Sequence, residues 1–169
     1  IYVCGSKCFV IENVTLDTHN SKLLKMERPL TQHIHPDGTT RTLREYVKMG
    51  GYRCLQRLSS GLAPKDLQRL VADAGLRGRG GGGFLTGTKW SFVPMGADAQ
   101  KPKYIVANGD EMEPGTFKDR VLMEGDPHGL VEGMILAGYA IDAEVGYIFL
   151  RGEYHLSAQR LTEAIAEAY

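Results

Sequence analysis

The chain has 169 residues, 43% of them hydrophobic, with 20 basic and 20 acidic residues and a formal net charge of zero. This size and apolar content suit one domain with a buried core, and the balanced charge supplies no bulk attraction to nucleic acid or an anionic membrane. No uninterrupted apolar run approaches the roughly 18 residues of a membrane span. Three cysteines (Cys4, Cys8, Cys54) are an odd set that builds no disulfide framework and fits a reducing compartment. Cys4 and Cys8 lack the second ligand pair of a structural zinc site and read as ordinary thiols. The chain begins with isoleucine and carries no leader pattern, so its start is expected to reflect processing or truncation.

Residues 1–40 read as an extended arm, with a short strand over 8–14 and a turn-rich stretch ERPLTQHIHPDGTT. His33 and His35 would lie on one side of that arm, solvated for want of a third metal ligand. Residues 41–169 read as the ordered α/β part. Leu43, Tyr46, Val47, Leu55 and Leu58 predict two short helices broken at Gly50-Gly51. Pro64 opens a helix with Leu67, Leu70, Val71 and Ala74 inward, Gly75 as its stop and Ala63 as a poor cap. Residues 103–107 (KYIVA) predict a buried strand. Asp126 and Pro127 start a helix whose apolar face is Leu130, Val131, Met134, Ile135, Ala137 and Ile141. Residues 145–150 (VGYIFL) predict a second buried strand, and 154–169 a helix with Leu161, Ile165 and Ala168 inward. Strand, helix, strand, helix in that order favours a parallel sheet with a crossover connection. Two strands do not complete such a sheet, so the chain reads as part of a larger domain.

Residues 75–90, GLRGRGGGGFLTGTKW, are dense in glycine, which permits positive φ and lets bare backbone approach a ligand. Arg77, Arg79 and Lys89 point to an anionic ligand. Gly78, Gly80 and Gly83 satisfy G-x-G-x-x-G, but that fingerprint needs a strand before it and a helix after it. Here a helix precedes and no helical pattern follows directly. The P-loop pattern fails too: Thr88 intrudes between Gly87 and Lys89, and Trp90 stands where a hydroxyl would hold magnesium. A plain linker would be padded with serine. This loop is instead interleaved with Phe84, Trp90 and Phe92, side chains suited to a planar, phosphate-bearing ligand. Beyond the first strand, NGDEMEPGTFKDR places Asn108, Asp110, Glu111 and Glu113 where ligand crevices of parallel sheets open. Alternation would send Glu111 and Glu113 to one side; a solvated acidic turn is the plain alternative.

GLRGRGGGGFLTGTKWSF, NGDEMEPGTFKDR, EGDPHGLVEGM and YIFLRGEY, in this order, resemble the NADH-binding flavoprotein subunit of respiratory complex I over roughly residues 27–169. The resemblance implies an incomplete Rossmann-like FMN-binding α/β domain, and hydride transfer from NADH to FMN with single electrons passed to iron–sulfur clusters. By position it implies Gly78, Arg79, Gly80, Gly81 and Lys89 along FMN and its phosphate. Asn108, Asp110 and Glu111 would take the flavin's polar edge and ribityl chain. Glu113 would lie at the nicotinamide end of NADH as the catalytic-site carboxylate, and Phe84 and Phe92 near adenine. Such chemistry needs positioning rather than an acid–base pair. The family's [4Fe–4S] cluster would lie in a C-terminal part that this chain lacks, and no C-x-x-C-x-x-C occurs here. Implied partners are NADH and other peripheral-arm subunits, notably a small [2Fe–2S] subunit, at the cytoplasmic face of the plasma membrane.

Two readings stand beside this one: a diaphorase subunit of an NAD-linked hydrogenase or formate dehydrogenase, and a non-catalytic fragment that only docks onto partner subunits. Against the family's GRGGAGFPTG and NADE, this chain has Gly82 and Gly109 for alanine and Leu85 for proline. All three are expected to add slack without removing a ligand-bearing side chain.

Overall fold

The computed structural model describes residues 30–97 and 99–169. The strand expected over 8–14, with Cys4 and Cys8, lies outside the described residues. Turns occupy residues 30–37. Helix α1 (Leu43–Lys48) then starts on a capping box, in which the Thr42 hydroxyl accepts from the Glu45 amide and the Glu45 carboxylate from the Thr42 amide. Gly50 (φ 104°) ends it, as expected, before α2 (Arg53–Ser59). Helix α3 (Pro64–Asp73) has Pro at its first turn, and Ala63 makes no side-chain cap. Its inward stripe is Leu67, Gln68 and Val71 rather than the predicted Leu70 and Ala74, which are exposed. Gln68 is tolerated there because its Nε2 donates to the Ala140 carbonyl at 2.6 Å.

Strands β1 (Tyr104–Gly109) and β2 (Val145–Leu150) form a parallel pair running from Tyr104↔Val145 to Gly109↔Leu150. The connection between them carries α5 (Lys118–Gly125) and α6 (Pro127–Ile141). Both strands were expected to be buried, yet only one face is covered. Ile105, Ala107, Ile148 and Leu150 pack inward, while Tyr104, Val106, Tyr147 and Phe149 are more than half exposed. Parallel sheets are normally covered on both faces; here the helices lie on one.

Helix α6 is the centre of the molecule. It is buried nearly all round, including Leu136 and Ala140 outside the predicted face, while predicted Ile135 is exposed. The reason is tertiary: β1 and β2 pack on one side and α3, α5, α7 (His155–Ala168) and α4 (Thr86–Ser91) on the others. The inward stripe of α7 is Ser157, Leu161 and Ala164; predicted Ile165 and Ala168 face solvent. At the C-terminus of α6, Lys103 Nζ donates to the Ile141 carbonyl and Lys101 Nζ to that of Asp142, cations where the helix dipole favours them.

At the other end Asp126 caps α6 by accepting from the Gly129 amide. Burial raises its carboxyl above the ordinary 3.8, opposed by that amide. The folded state therefore binds more protons than the unfolded one just above pH 3.8, and stability falls as pH rises through that window. Asp126→Asn keeps a capping oxygen and is expected to flatten this fall in urea-unfolding curves taken across it. An unchanged slope would remove Asp126 as its source.

Candidate functional site

The glycine loop is closed at its base. Gly78 N–H donates to the Phe84 carbonyl at 2.9 Å, Thr86 N–H to that of Leu76 at 2.8 Å, and Arg77 Nη1 to that of Gly83 at 3.0 Å. Gly81 and Gly83 take φ of 116° and 59°, which other residues rarely adopt. A helix does follow the loop, contrary to expectation: α4, which its weak helix formers Thr86, Gly87 and Thr88 concealed. Tertiary packing supplies what propensity lacks, since Gly87 lies against the Ala72 backbone and Trp90 is buried among Leu67, Val71 and Leu136. The Rossmann fingerprint still fails, because α3 rather than a strand leads in. Trp90 is taken into the core and is not free for a ligand, while exposed Arg77 spends Nη1 on the Gly83 carbonyl of its own loop. What remains outside is Arg79 and Lys89, both exposed and without an ion pair among the described residues, and Phe84 with Phe92, exposed with ring centroids 6.1 Å apart.

Positions Gly80, Gly81 and Gly82 have nothing within 4 Å of where a Cβ would stand. The expected slack is therefore present at Gly82, whose φ is not positive. Leu85, at φ −65°, makes no amide hydrogen bond among the described residues and suits proline. Gly82→Ala and Leu85→Pro are each expected to stabilise the chain by about 0.4–1 kcal/mol through the unfolded state. Paired denaturation curves check this; a loss of stability would mean that the loop needs its freedom. Gly109 differs from expectation. It is tightly packed, and a Cβ there would come within 2.8 Å of Leu150 Cδ2 and 2.9 Å of Met123 Sδ.

The acidic segment leaves the sheet at the carboxyl end of β1. Asn108 lies inside the strand rather than after it, and its Oδ1 accepts from the Asp110 amide at 3.0 Å. Glu111 and Glu113 do not share a side. Glu111 is buried, with Oε1 accepting from the Asp119 amide (3.1 Å) and Oε2 from the Arg120 amide (3.4 Å) at the start of α5. A carboxylate there satisfies amides that α5's own cap, Phe117, leaves open. Glu113 is exposed on a turn closed by the Thr116 amide donating to its carbonyl, with Gly115 at φ 76°. Around them stand groups not singled out from the sequence. Arg151 Nη1 donates to the Glu111 carbonyl at 3.1 Å and Arg151 Nε lies 3.7 Å from Asp110. Lys118 Nζ is 3.7 Å from Glu111. The one available signal was register: Arg151 follows Leu150, which pairs with Gly109, so it must emerge beside Asp110.

Asp110, Glu111, Lys118 and Arg151 are thus brought together at the ends of both strands, and Phe84 with Phe92 at the glycine loop. Among the described residues no hydrogen bond or ion pair runs directly between the two groups. They share a foundation instead: Trp90, next to Lys89, and Ile105 of β1 pack in one cluster against α6.

A buried polar network was also missed. Glu132 has no solvent exposure. The Tyr46 hydroxyl donates to its Oε2 at 2.5 Å, and Oε1 has no partner among the described residues. His128, equally buried, lies 3.0 Å from the Tyr52 hydroxyl through Nδ1 and 3.0 Å from Glu167 through Nε2. Burial and the nearby carboxylates push the Tyr52 phenol far up, so it stays neutral. These groups knit α1 and α2 to α6 and α7.

The family model described as the Nuo51 FMN-binding domain matches residues 71–169, more than half of the chain. The chain belongs to this family. Similar curated relatives are subunits of NADH-quinone oxidoreductase. One, of Rhizobium meliloti, is 52% identical over 134 residues, and another, of Escherichia coli, is 49% identical over 140. These alignments cover 79% and 83% of this chain and 31% of each relative. The chain therefore spans about a third of the length of those relatives. Among solved structures, an NAD+-reducing [NiFe]-hydrogenase in its H2-reduced state matches with TM-score 0.59 and 39% identity, over 75% of this chain and 22% of the other. Its air-oxidised state matches with TM-score 0.60 and 37% identity, over 78% and 23%. The parallel pair and crossover helices of this Nuo51-family chain agree with the expected α/β class, and no described helix is long and apolar enough to cross a membrane.

Proposed function

We propose that the chain contributes the FMN- and NADH-binding face of an NADH dehydrogenase flavoprotein. The observation that carries this reading is the open glycine cradle at Gly80 and Gly81, flanked by the exposed cations Arg79 and Lys89 and the exposed pair Phe84 and Phe92. Bare amides and cations suit a phosphate, and aromatic faces suit a planar base. Gly78, Arg79, Gly80, Gly81 and Lys89 would line FMN and its phosphate side. Asn108 and Asp110 would accept from the flavin's polar edge and ribityl hydroxyls. Glu111, its carboxylate occupied by α5, would contribute through the course of its backbone. Phe84 and Phe92 would flank adenine. Bound FMN supplies hydride acceptance from NADH and release of electrons one at a time.

Glu113 is exposed on a tight turn and its carboxylate has no partner among the described residues, so it can face the nicotinamide end of NADH. A fixed negative charge there acts differently on neutral reduced and cationic oxidised nicotinamide. Glu113→Gln is expected to shift the NADH and NAD+ dissociation constants unequally, by about threefold to tenfold in their ratio. Equal shifts in titrations with both nucleotides would rule the idea out.

In its assembly the chain would hand electrons to iron–sulfur clusters outside it, including a [4Fe–4S] centre and a small [2Fe–2S] subunit, at the cytoplasmic face of a membrane. A diaphorase subunit of an NAD-linked hydrogenase is the second reading, favoured by the hydrogenase likeness; the higher identity to the NADH-quinone oxidoreductase relatives weighs against it. The test is to mix the purified chain with FMN, remove free flavin and record the visible spectrum. Retained flavin bands that bleach with NADH are expected. A colourless protein overturns cofactor binding by this chain and leaves the docking fragment.

A further inference from the structure

We propose that Arg151 is a positioning residue of this site, fixing the segment that carries Asp110 and Glu113 against the ends of β1 and β2. The proposal rests on the cofactor reading above for its functional consequence, but its geometry stands on the fold. Gly109 and Leu150 are the last paired residues of the sheet, so the chain beyond them has no ladder to hold it. Arg151 replaces the ladder with a side chain. Its Nη1 donates to the Glu111 carbonyl at 3.1 Å, while its Nε lies 2.8 Å from Glu153 and 3.7 Å from Asp110. The Tyr154 hydroxyl adds a longer bond to the same carbonyl, 3.4 Å. Glu111 is thereby held from both ends, its carboxylate by the first amides of α5 and its carbonyl by β2's flank.

An exposed ion pair alone would carry little weight. The hydrogen bond to a main-chain oxygen is different, because it orients the backbone between Asp110 and Glu113. The guanidinium also lets carboxylates crowd where an anionic ligand must approach. Its fork reaches a carbonyl and carboxylates together, which a lysine's single ammonium reaches less well.

The test compares the whole chain with Arg151→Met and Arg151→Lys by three readouts: amide exchange over residues 110–116, FMN affinity by flavin-fluorescence quenching, and the urea midpoint. Arg151→Met is expected to speed exchange in that segment about tenfold and to weaken FMN about tenfold, with the midpoint nearly unmoved. Arg151→Lys should recover less than half of each loss. Unchanged exchange over 110–116 overturns the proposal, as does exchange that rises everywhere in step with a falling midpoint, the mark of general destabilisation. If the unsubstituted chain takes up no FMN, the cofactor reading fails by itself. Exchange then decides: a rise confined to 110–116 supports the positioning role, and any other pattern overturns it.

Discussion

Gly87→Ala is expected to destabilise the chain by about 3 kcal/mol and to weaken FMN binding more than tenfold. A Cβ at Gly87 would stand 2.4 Å from the Ala72 amide nitrogen and 2.7 Å from its Cα, backbone atoms of α3 that cannot swing aside. Helix α4 must move off α3, which lifts Trp90 from its cluster and strains the Thr86-to-Leu76 bond closing the loop. Urea unfolding with a flavin titration measures both effects. The same substitution at Gly82, where nothing lies within 4 Å, is expected to stabilise, so the pair separates packing from glycine entropy. An alanine at 87 that leaves stability untouched would mean that α4 is not seated on α3 as described.

Tyr46→Phe should cost about 3 kcal/mol, or about 6–12 °C in Tm. The Tyr46 hydroxyl is the hydrogen-bond donor to Glu132 Oε2, and Oε1 already lacks a partner among the described residues. Removing the hydroxyl takes from a fully buried carboxyl group its bond to Tyr46, whereas the phenyl ring keeps its packing beside Gly51 and His128. Adding Glu132→Leu should recover most of the loss, because a buried polar pair replaced by apolar groups of similar volume is nearly neutral. A Tyr46→Phe chain within about 0.5 kcal/mol of the original would remove this network from the account of stability.

The elements legible in the sequence were those with strong local signals. Asp126 and Pro127 start α6 as expected, Gly50-Gly51 breaks α1 from α2, and both strands stand where apolar runs placed them. Weak or borrowed signals hid the rest. Helix α4 was concealed by Thr and Gly in its first turn. Helix α5 was concealed because its cap comes from Glu111 in the preceding loop rather than from a neighbouring residue. The inward faces of α3, α6 and α7 were misjudged at Leu70, Ile135 and Ile165. Hydrophobicity says that a side chain could be buried, and only the neighbouring elements say which ones are.

At the site the same division holds. The glycine loop after α3 and the acidic run after β1 were legible as segments, because glycine density and clustered charge are local patterns of the chain. Arg151, Lys118 and the capping role of Glu111 were not, since each depends on a partner distant in the chain.

By itself the sequence determined the α/β class, the parallel order of the strands and the family, because periodicity, turn residues and long ordered motifs are local properties of the chain. Tertiary structure alone decided which carboxylate is buried and which is free, which aromatic belongs to the core and which to solvent, and which side of the sheet is covered. Those outcomes turn on distances between segments far apart in sequence, and no local propensity encodes them.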